Sequence, residues 1–427
     1  MGVEGKRLLV LGGTSATLDL VKNAKAMGVY TVVTDFSEGG VAKELADEVA
    51  SVSTTDIDGL VKLVKERNID GAFCGPSEFN IRNLIRLCEK AGLPCYTTMD
   101  IWDRCANKDE FKQFCIDNGV DCPQRYYVDE NSTDEELDAV DYPVIVKPVD
   151  GSSSAGITTC MDKSTIREAC RYAMEKSTCK RIVVEKYIDN GGELFGARYI
   201  LKDGEAYPYL IMDTYIADPV EKKSLISHFT NIPSKYSDYY MKNMDKNVRK
   251  MLKNMGLKDG TAFFQALPYN GKIYIHEMGY RLSGGMIFKL TEPLMNVNDM
   301  QMMIRFALGE EMASDEKLES MDVTAISRFG AQLMAPLSVG TIGAIEGLEE
   351  VKKLPCITDI IQYYNVGDTI TEKNIGTLGQ HFARFTIIGD TREEVYDTVK
   401  KINEVLLIKD ENGKRMNEFI FDLERTK

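Results

Sequence analysis

Short apolar runs alternate with longer amphipathic stretches through the first hundred residues, a rhythm that fits strand–helix–strand units. Leu8-Leu9-Val10-Leu11 reads as a buried strand, and Gly12-Gly13-Thr14-Ser15 turns the chain into a helix extending to about Ala26. Thr31-Val32-Val33-Thr34 is a second strand, ending at Asp35. Gly71-Ala72-Phe73-Cys74 is another, followed by Gly75-Pro76-Ser77-Glu78 and a helix with Ile81, Leu84, Ile85, Cys88 and Ala91 on one face. This alternation predicts a parallel, doubly wound sheet with ligands outside the carboxyl ends of its strands.

The pattern then changes. Residues 98–120 read as helical, with Lys108 opening a helix after Asn107. Residues 124–276 are rich in strands, with helical patches at 163–175 and 239–255. The stretch from about residue 322 to the end begins with Ala325-Ile326-Ser327-Arg328-Phe329, carries the run 382–389 and then a helix over 391–406. It reads as a small α+β unit closing the structure, with no internal duplication or low-complexity linker before it. A chain of 427 residues is too long for one simple core, so two or three domains are expected.

Composition narrows the partners. The net charge of −14 argues against non-specific nucleic-acid or anionic-membrane binding and favours a small ligand. A bound polyphosphate must then be met by a local cluster of basic groups. Ten cysteines lie scattered without a CxxC pair, which suits small core residues in a reducing cytoplasm better than a disulfide framework. His228, His276 and His381 have no zinc-ligand spacing. No apolar run approaches a membrane span, and no signal-peptide stretch precedes the first strand.

The most informative segment is Pro143-Val144-Ile145-Val146-Lys147-Pro148, which delivers one lysine to a strand end and runs into Gly151-Ser152-Ser153-Ser154-Ala155-Gly156. Small residues let backbone N–H groups crowd around phosphate oxygens, and the lysine adds a mobile positive charge. Ile157-Thr158-Thr159 reads as the returning strand. By contrast, Gly12-Gly13-Thr14-Ser15-Ala16-Thr17 is not GxGxxG, which sets a nicotinamide role aside. Residues 181–188 form a strand with a polar end, and Glu193 follows. Such an end can recognise an adenine edge and a nearby carboxylate a ribose hydroxyl; a plain hairpin with a solvated acid fits equally well.

Residues 263–267 and 272–278 read as antiparallel strands joined at Tyr269-Asn270-Gly271, which can set Gln265 and Glu277 side by side. Oxygen ligands on neighbouring strands suit Mg²⁺, which completes its octahedron with water and phosphate oxygens. Gly279-Tyr280-Arg281-Leu282-Ser283-Gly284-Gly285 then places a guanidinium and a second glycine loop beside that pair. Arginine there can clamp a carboxylate or phosphate.

In this order the pieces resemble the ATP-grasp superfamily, in particular its biotin-carboxylase, glycinamide-ribonucleotide and carbamoyl-phosphate-synthase-like branch. The resemblance covers essentially the whole chain. It implies α/β and α+β architecture: a Rossmann-like pre-ATP-grasp domain over residues 1–106, a two-lobed ATP-grasp core over 107–320 with its lid lobe at about 124–188, and a small C-terminal α+β cap over 321–427. Lys108 and Lys147 match the family's phosphate-binding lysines, and Gly151, Ser152, Ser153, Ser154 and Gly156 its flexible lid. Glu185, Lys186, Tyr187 and Ile188 match the hinge that reads adenine, and Glu193 the ribose-binding acid. Glu277 and Arg281 match the glutamate and arginine of E-x-N-x-R, while Gln265 fills the place of the family's first metal carboxylate. Gly279 stands where the asparagine belongs, which puts a second metal in doubt.

The resemblance further implies that Gly13, Glu78, His228, Arg281, Ser283 and Gly284 line the substrate pocket; turn chemistry and N-capping explain Gly13 and Glu78 as well. It implies ATP and Mg²⁺ (or Mn²⁺) as cofactors, small carboxylate and amine substrates, a cytoplasmic homodimer, and an acylphosphate mechanism releasing ADP. Lys147 and Arg281 would act directly on the reacting groups. The other reading is an ATP-binding regulatory or interaction protein whose turnover has weakened with Gln265 and Gly279.

Overall fold

The computed structural model describes residues 2–37, 39–149, 156–216, 226–417, 421 and 423–426. Its strands are β1 Arg7–Leu11, β2 Tyr30–Thr34, β3 Glu48–Ala50, β4 Gly71–Phe73, β5 Arg125–Tyr126, β6 Val144–Pro148, β7 Thr158–Cys160, β8 Ile182–Lys186, β9 Glu193–Lys202, β10 Glu205–Ile216, β11 Ser227–Ile232, β12 Gly260–Tyr269, β13 Lys272–Gly279, β14 Phe329–Pro336, β15 Gly340–Glu346, β16 Ile357–Gln362, β17 Thr369–Ile370, β18 His381–Gly389 and β19 Leu407–Asp410.

The first four make a parallel sheet in the order β3-β2-β1-β4. Leu8 to Leu11 are wholly buried, as a strand covered on both faces requires. The helix Glu78–Ala91 buries Ile81, Leu84, Ile85 and Cys88 on its predicted face and ends at Gly92 in the left-handed region. The helical stretch after residue 98 is two helices, Met99–Ala106 and Lys108–Asp117. They break at Asn107, whose extended backbone lets its side chain accept from the N–H groups of Asp109 and Glu110 at 3.0 and 3.3 Å.

A four-stranded sheet, β5-β8-β6-β7, packs against the helix Ile166–Lys176 around a small core of its own. The main sheet has eight strands in the order β13-β12-β9-β10-β11-β14-β18-β16. The C-terminal stretch therefore does two things. Its strands β14, β18 and β16 extend the main sheet, with Phe229 of β11 opposite Leu333 of β14. Its remainder forms the small sheet β17-β15-β19 and the helix Arg392–Val405. The pairing of β11 with β14 crosses the expected boundary at residue 320.

All ten cysteines are free thiols, six of them buried. Among the described residues no helix is long and apolar enough to cross a membrane.

His228 of β11 and His381 of β18 are buried with ring centroids 6.1 Å apart. Burial, then the Arg425 charge, depresses His228 from 6.5 to about 4. Burial, then His228 and Arg384, takes His381 to about 3. In the unfolded chain both imidazoles protonate near the ordinary value, so acid favours unfolding from about pH 6.5 downward, until the folded pKa values are reached. Urea melts should lose about 2 kcal/mol between about pH 7.5 and about pH 5.5 from this pair. His381→Gln should flatten that slope; an unchanged slope would mean the pair does not govern it.

Candidate functional site

Strand β6 carries Lys147 to the edge of the small lobe, where Glu185 of β8 receives it at 2.7 Å. The other Glu185 oxygen takes Lys112 from the helix Lys108–Asp117, also at 2.7 Å, and Lys112 donates to the Pro123 carbonyl at 2.9 Å. All three groups are buried. Burial alone would raise the Glu185 pKa, but Lys147 and then Lys112 outweigh it and hold the carboxylate at about 2. The carboxylate predicted to face an adenine edge thus lies between two ammonium groups.

Around it, the Lys186 N–H donates to the Gln124 carbonyl at 2.8 Å and the Tyr187 N–H to that of Pro143 at 3.0 Å. Ile188 is buried. Glu193 opens β9 and pairs with Lys235 at 3.0 Å. Lys108 is the first residue of its helix and half-buried. Gly156 has φ of +79°, and a Cβ there would press on Pro148 and Lys176 at 2.8 Å, so only glycine fits. Gly151, Ser152, Ser153 and Ser154 lie outside the described residues.

Across from this lobe, Gln265 of β12 and Glu277 of β13 are directly opposed and both exposed, an opposition that depends on a one-residue shift from the register set at the turn, where Ala266 faces Ile275. The register shifts beside them, so His276 is the extra residue of a β-bulge. Its Nε2 is buried and, among the described residues, has no hydrogen-bond partner. Burial, then the charges of Lys147, Glu185, Lys112 and Lys108, set its pKa at about 3. The bulge thereby brings His276 to the lysine cluster. Gly279 faces Phe263, and a Cβ at Gly279 would overlap that ring. The asparagine of the E-x-N-x-R pattern is therefore replaced by a glycine–phenylalanine pair. One carboxylate and one amide oxygen fit a single Mg²⁺ that takes its other ligands from phosphate and water. Among the described residues no cluster of three or more His, Cys, Asp or Glu forms a fuller metal cage.

Arg281 follows β13. Its Nε and Nη2 donate to Glu78 Oε1 at 3.0 and 2.6 Å, and its guanidinium sits 5.0 Å from the centre of the Phe263 ring. Glu78, first residue of its helix, thus meets Arg281 from 203 positions away. The neighbouring loop is tied down from the C-terminal strands: the Gly285 carbonyl accepts from Arg384 Nη1 at 2.7 Å and Gln332 Nε2 at 3.1 Å. Among the described residues Ser283 Oγ is buried with no hydrogen-bond partner, whereas Gly284 has open space over its Cα.

Gly13 and His228 have these surroundings. The Gly13 N–H donates to Asp35 at 3.0 Å and the Lys43 side chain crosses its Cα, the arrangement of a packed turn. His228 packs beside His381, toward the C-terminal strands. Lys112 and His276 were not anticipated. Lys112 had a signal, four residues after Lys108 on one helix face; the bulge that redirects His276 had none.

The chain matches the family model described as D-ala D-ala ligase C-terminus over residues 123–279, from just before β5 to the end of β13. It is 21% identical over 414 residues to a formate-dependent phosphoribosylglycinamide formyltransferase of Sulfurisphaera tokodaii, covering 94% of this chain and 97% of that one. Among solved structures it resembles an L-amino acid ligase from Bacillus licheniformis with a TM-score of 0.75 and 19% identity, covering 95% of this chain and 99% of that one. It also resembles a phosphoribosylglycinamide synthetase from Anaerococcus prevotii with a TM-score of 0.73 and 20% identity, covering 95% and 100%.

Proposed function

We infer that this chain, an ATP-grasp ligase, joins a small carboxylate to a small amine through an acylphosphate, releasing ADP and phosphate. The observation that carries the reading is the pair of exposed oxygen-bearing side chains, Gln265 and Glu277, opposed on adjacent strands and followed at once by Arg281. Mg²⁺ held there would neutralise charge on the transferring phosphoryl group.

The residues divide the remaining work. Lys147 and Lys108 hold phosphate oxygens, Lys186 to Ile188 border the base, and Glu193 takes the ribose by exchanging its bond to Lys235. Arg281 faces the substrate carboxylate, and Glu78 fixes the guanidinium in the plane that a carboxylate needs. Ser283 offers a buried hydroxyl to the same pocket. Little covalent chemistry is asked of the protein; positioning and water exclusion protect an acylphosphate that hydrolyses readily. That Glu277 and Gln265 remain exposed and opposed favours turnover over a purely regulatory role.

Hydroxylamine provides the test. Supplied in place of the amine, it should trap the acylphosphate as a hydroxamate, with ADP released in equal amount and only when a carboxylate is present. ADP release that needs no carboxylate, or that yields no hydroxamate, would remove the acylphosphate from the scheme.

A further inference from the structure

Arg198 lies in the middle of β9, on the main sheet's interior, and is 7% exposed. Among the described residues its guanidinium has no ion-pair partner: its one polar contact is Nη2 to the Met212 thioether at 4.0 Å, and Nε is buried without a hydrogen bond. A buried, unpaired guanidinium is strongly unfavourable, because water is lost and no anion replaces it. The nearest acid that senses its charge, Asp299, is already bonded by the Tyr209 hydroxyl at 2.7 Å. Burial pushes that carboxyl above its usual range in spite of Arg198.

The register gives the guanidinium its address. Arg198 is opposite Phe263, and Gly196 is opposite Gln265, which in turn is opposite Glu277. Side chains two residues apart share a face, so Arg198 lies one row along from the oxygen-ligand row, on the same face, about 7 Å away along the strand. Gly196 adds no side chain of its own there; the Met212 side chain from β10 lies over it, 3.1–3.2 Å from where a Cβ would stand. The Arg198 guanidinium sits 5.5 Å from the centre of the Phe263 ring that Arg281 also borders. Arg281 is neutralised by Glu78; Arg198 is not.

We propose that Arg198 is a specificity-determining residue that binds a second anionic group of the carboxylate substrate, a few bonds from the carboxylate that reacts. This rests on the ligase reading and names its substrate class: a short dianion, either a dicarboxylate or a carboxylate bearing a phosphate ester. The two guanidinium groups, 5.5 and 5.0 Å from the centre of the same Phe263 ring, set the separation of the two charges, and that ring borders the apolar atoms between them.

The test uses the full chain and four probes: ADP, pentanoate, glutarate and 3-phosphoglycerate. Calorimetry on the wild type should give glutarate or 3-phosphoglycerate an affinity at least about tenfold above pentanoate, which has glutarate's length but one charge. Which dianion wins assigns the second group as carboxylate or phosphate. In Arg198→Met that preference should vanish while ADP affinity stays at the wild-type value, and the unliganded protein should melt no lower than wild type, because a buried unpaired charge has been removed. Arg198→Lys should retain part of the preference, and it serves if the methionine variant does not fold. Arg198→Met or Arg198→Lys keeping the full preference would overturn the proposal. So would a wild type that binds ADP but treats glutarate, 3-phosphoglycerate and pentanoate alike. A wild type that does not bind ADP overturns the ligase reading and, with it, this proposal.

Discussion

Replacing Glu277 with glutamine is expected to lower turnover about 100- to 1,000-fold and to raise the Mg²⁺ concentration needed for half-maximal rate. The reason lies in the donor set. Gln265 would contribute an oxygen without charge, so Glu277 would supply the one negative ligand of the opposed pair. In a site with two carboxylates, loss of one leaves an anionic ligand in place; here it leaves two amides. Both side chains are exposed, so the exchange should leave the melting temperature almost unchanged, which separates a loss of chemistry from a loss of fold. The reciprocal change, Gln265→Glu, should tighten metal binding. Turnover by Glu277→Gln at the wild-type metal requirement would exclude Glu277 as a ligand.

Phe263 explains why position 279 adds no third oxygen to that pair. The position two residues after Glu277 points back at the ring, so a side chain there collides before it can reach a metal. Nothing in Gly279 alone discloses this, because the ring belongs to the opposing strand. The hairpin itself was legible from its tight Tyr269-Asn270-Gly271 turn, but that turn alone sets Gln265 against His276; the bulge at His276 is what brings Glu277 opposite Gln265. The first strands were legible too, where β-branched and leucine runs end at glycine turns. What escaped reading depends on distant partners or on local irregularity. Strand β3 has three residues and no apolar run. The break at Asn107 rests on capping geometry inside an otherwise helical pattern. The C-terminal strands join β11 across a separation of about a hundred residues, and no local period reports which edge is vacant. His276 moves to the lysine cluster because one extra residue in β13 reverses its facing, a change invisible to any alternation rule. The Glu78–Arg281 pair could be anticipated only as two separate pocket residues, since each acquires its partner from the other end of the fold.

Lys147→Met and Lys112→Met should have opposite profiles, although both lysines lie 2.7 Å from Glu185. Lys112 is the more enclosed, with 2% of its side chain exposed, and it also satisfies the Pro123 carbonyl. Its loss strands a buried carbonyl and half of a buried carboxylate, which should cost about 3 kcal/mol in a urea melt, with a smaller effect on nucleotide affinity. Lys147, 9% exposed at the end of β6 and four residues ahead of Gly151, has among the described residues no second protein partner to keep it at Glu185. A phosphate can draw it away while Lys112 continues to neutralise the acid. Lys147→Met should therefore weaken ATP binding about 30- to 100-fold and lower turnover further, at a cost in stability nearer 1–2 kcal/mol. The acid limb adds an independent check. A carboxyl held near 2 in the fold stabilises it above the ordinary value of 4.5 and loses that contribution as pH falls from 4.5 toward 2. Removing either lysine lets the Glu185 pKa rise, so both variants should lose less stability across that window than the wild type does. Equal losses of ATP affinity in the two variants would mean that both lysines meet the nucleotide, and that Glu185 is left without a resident counter-charge when it binds.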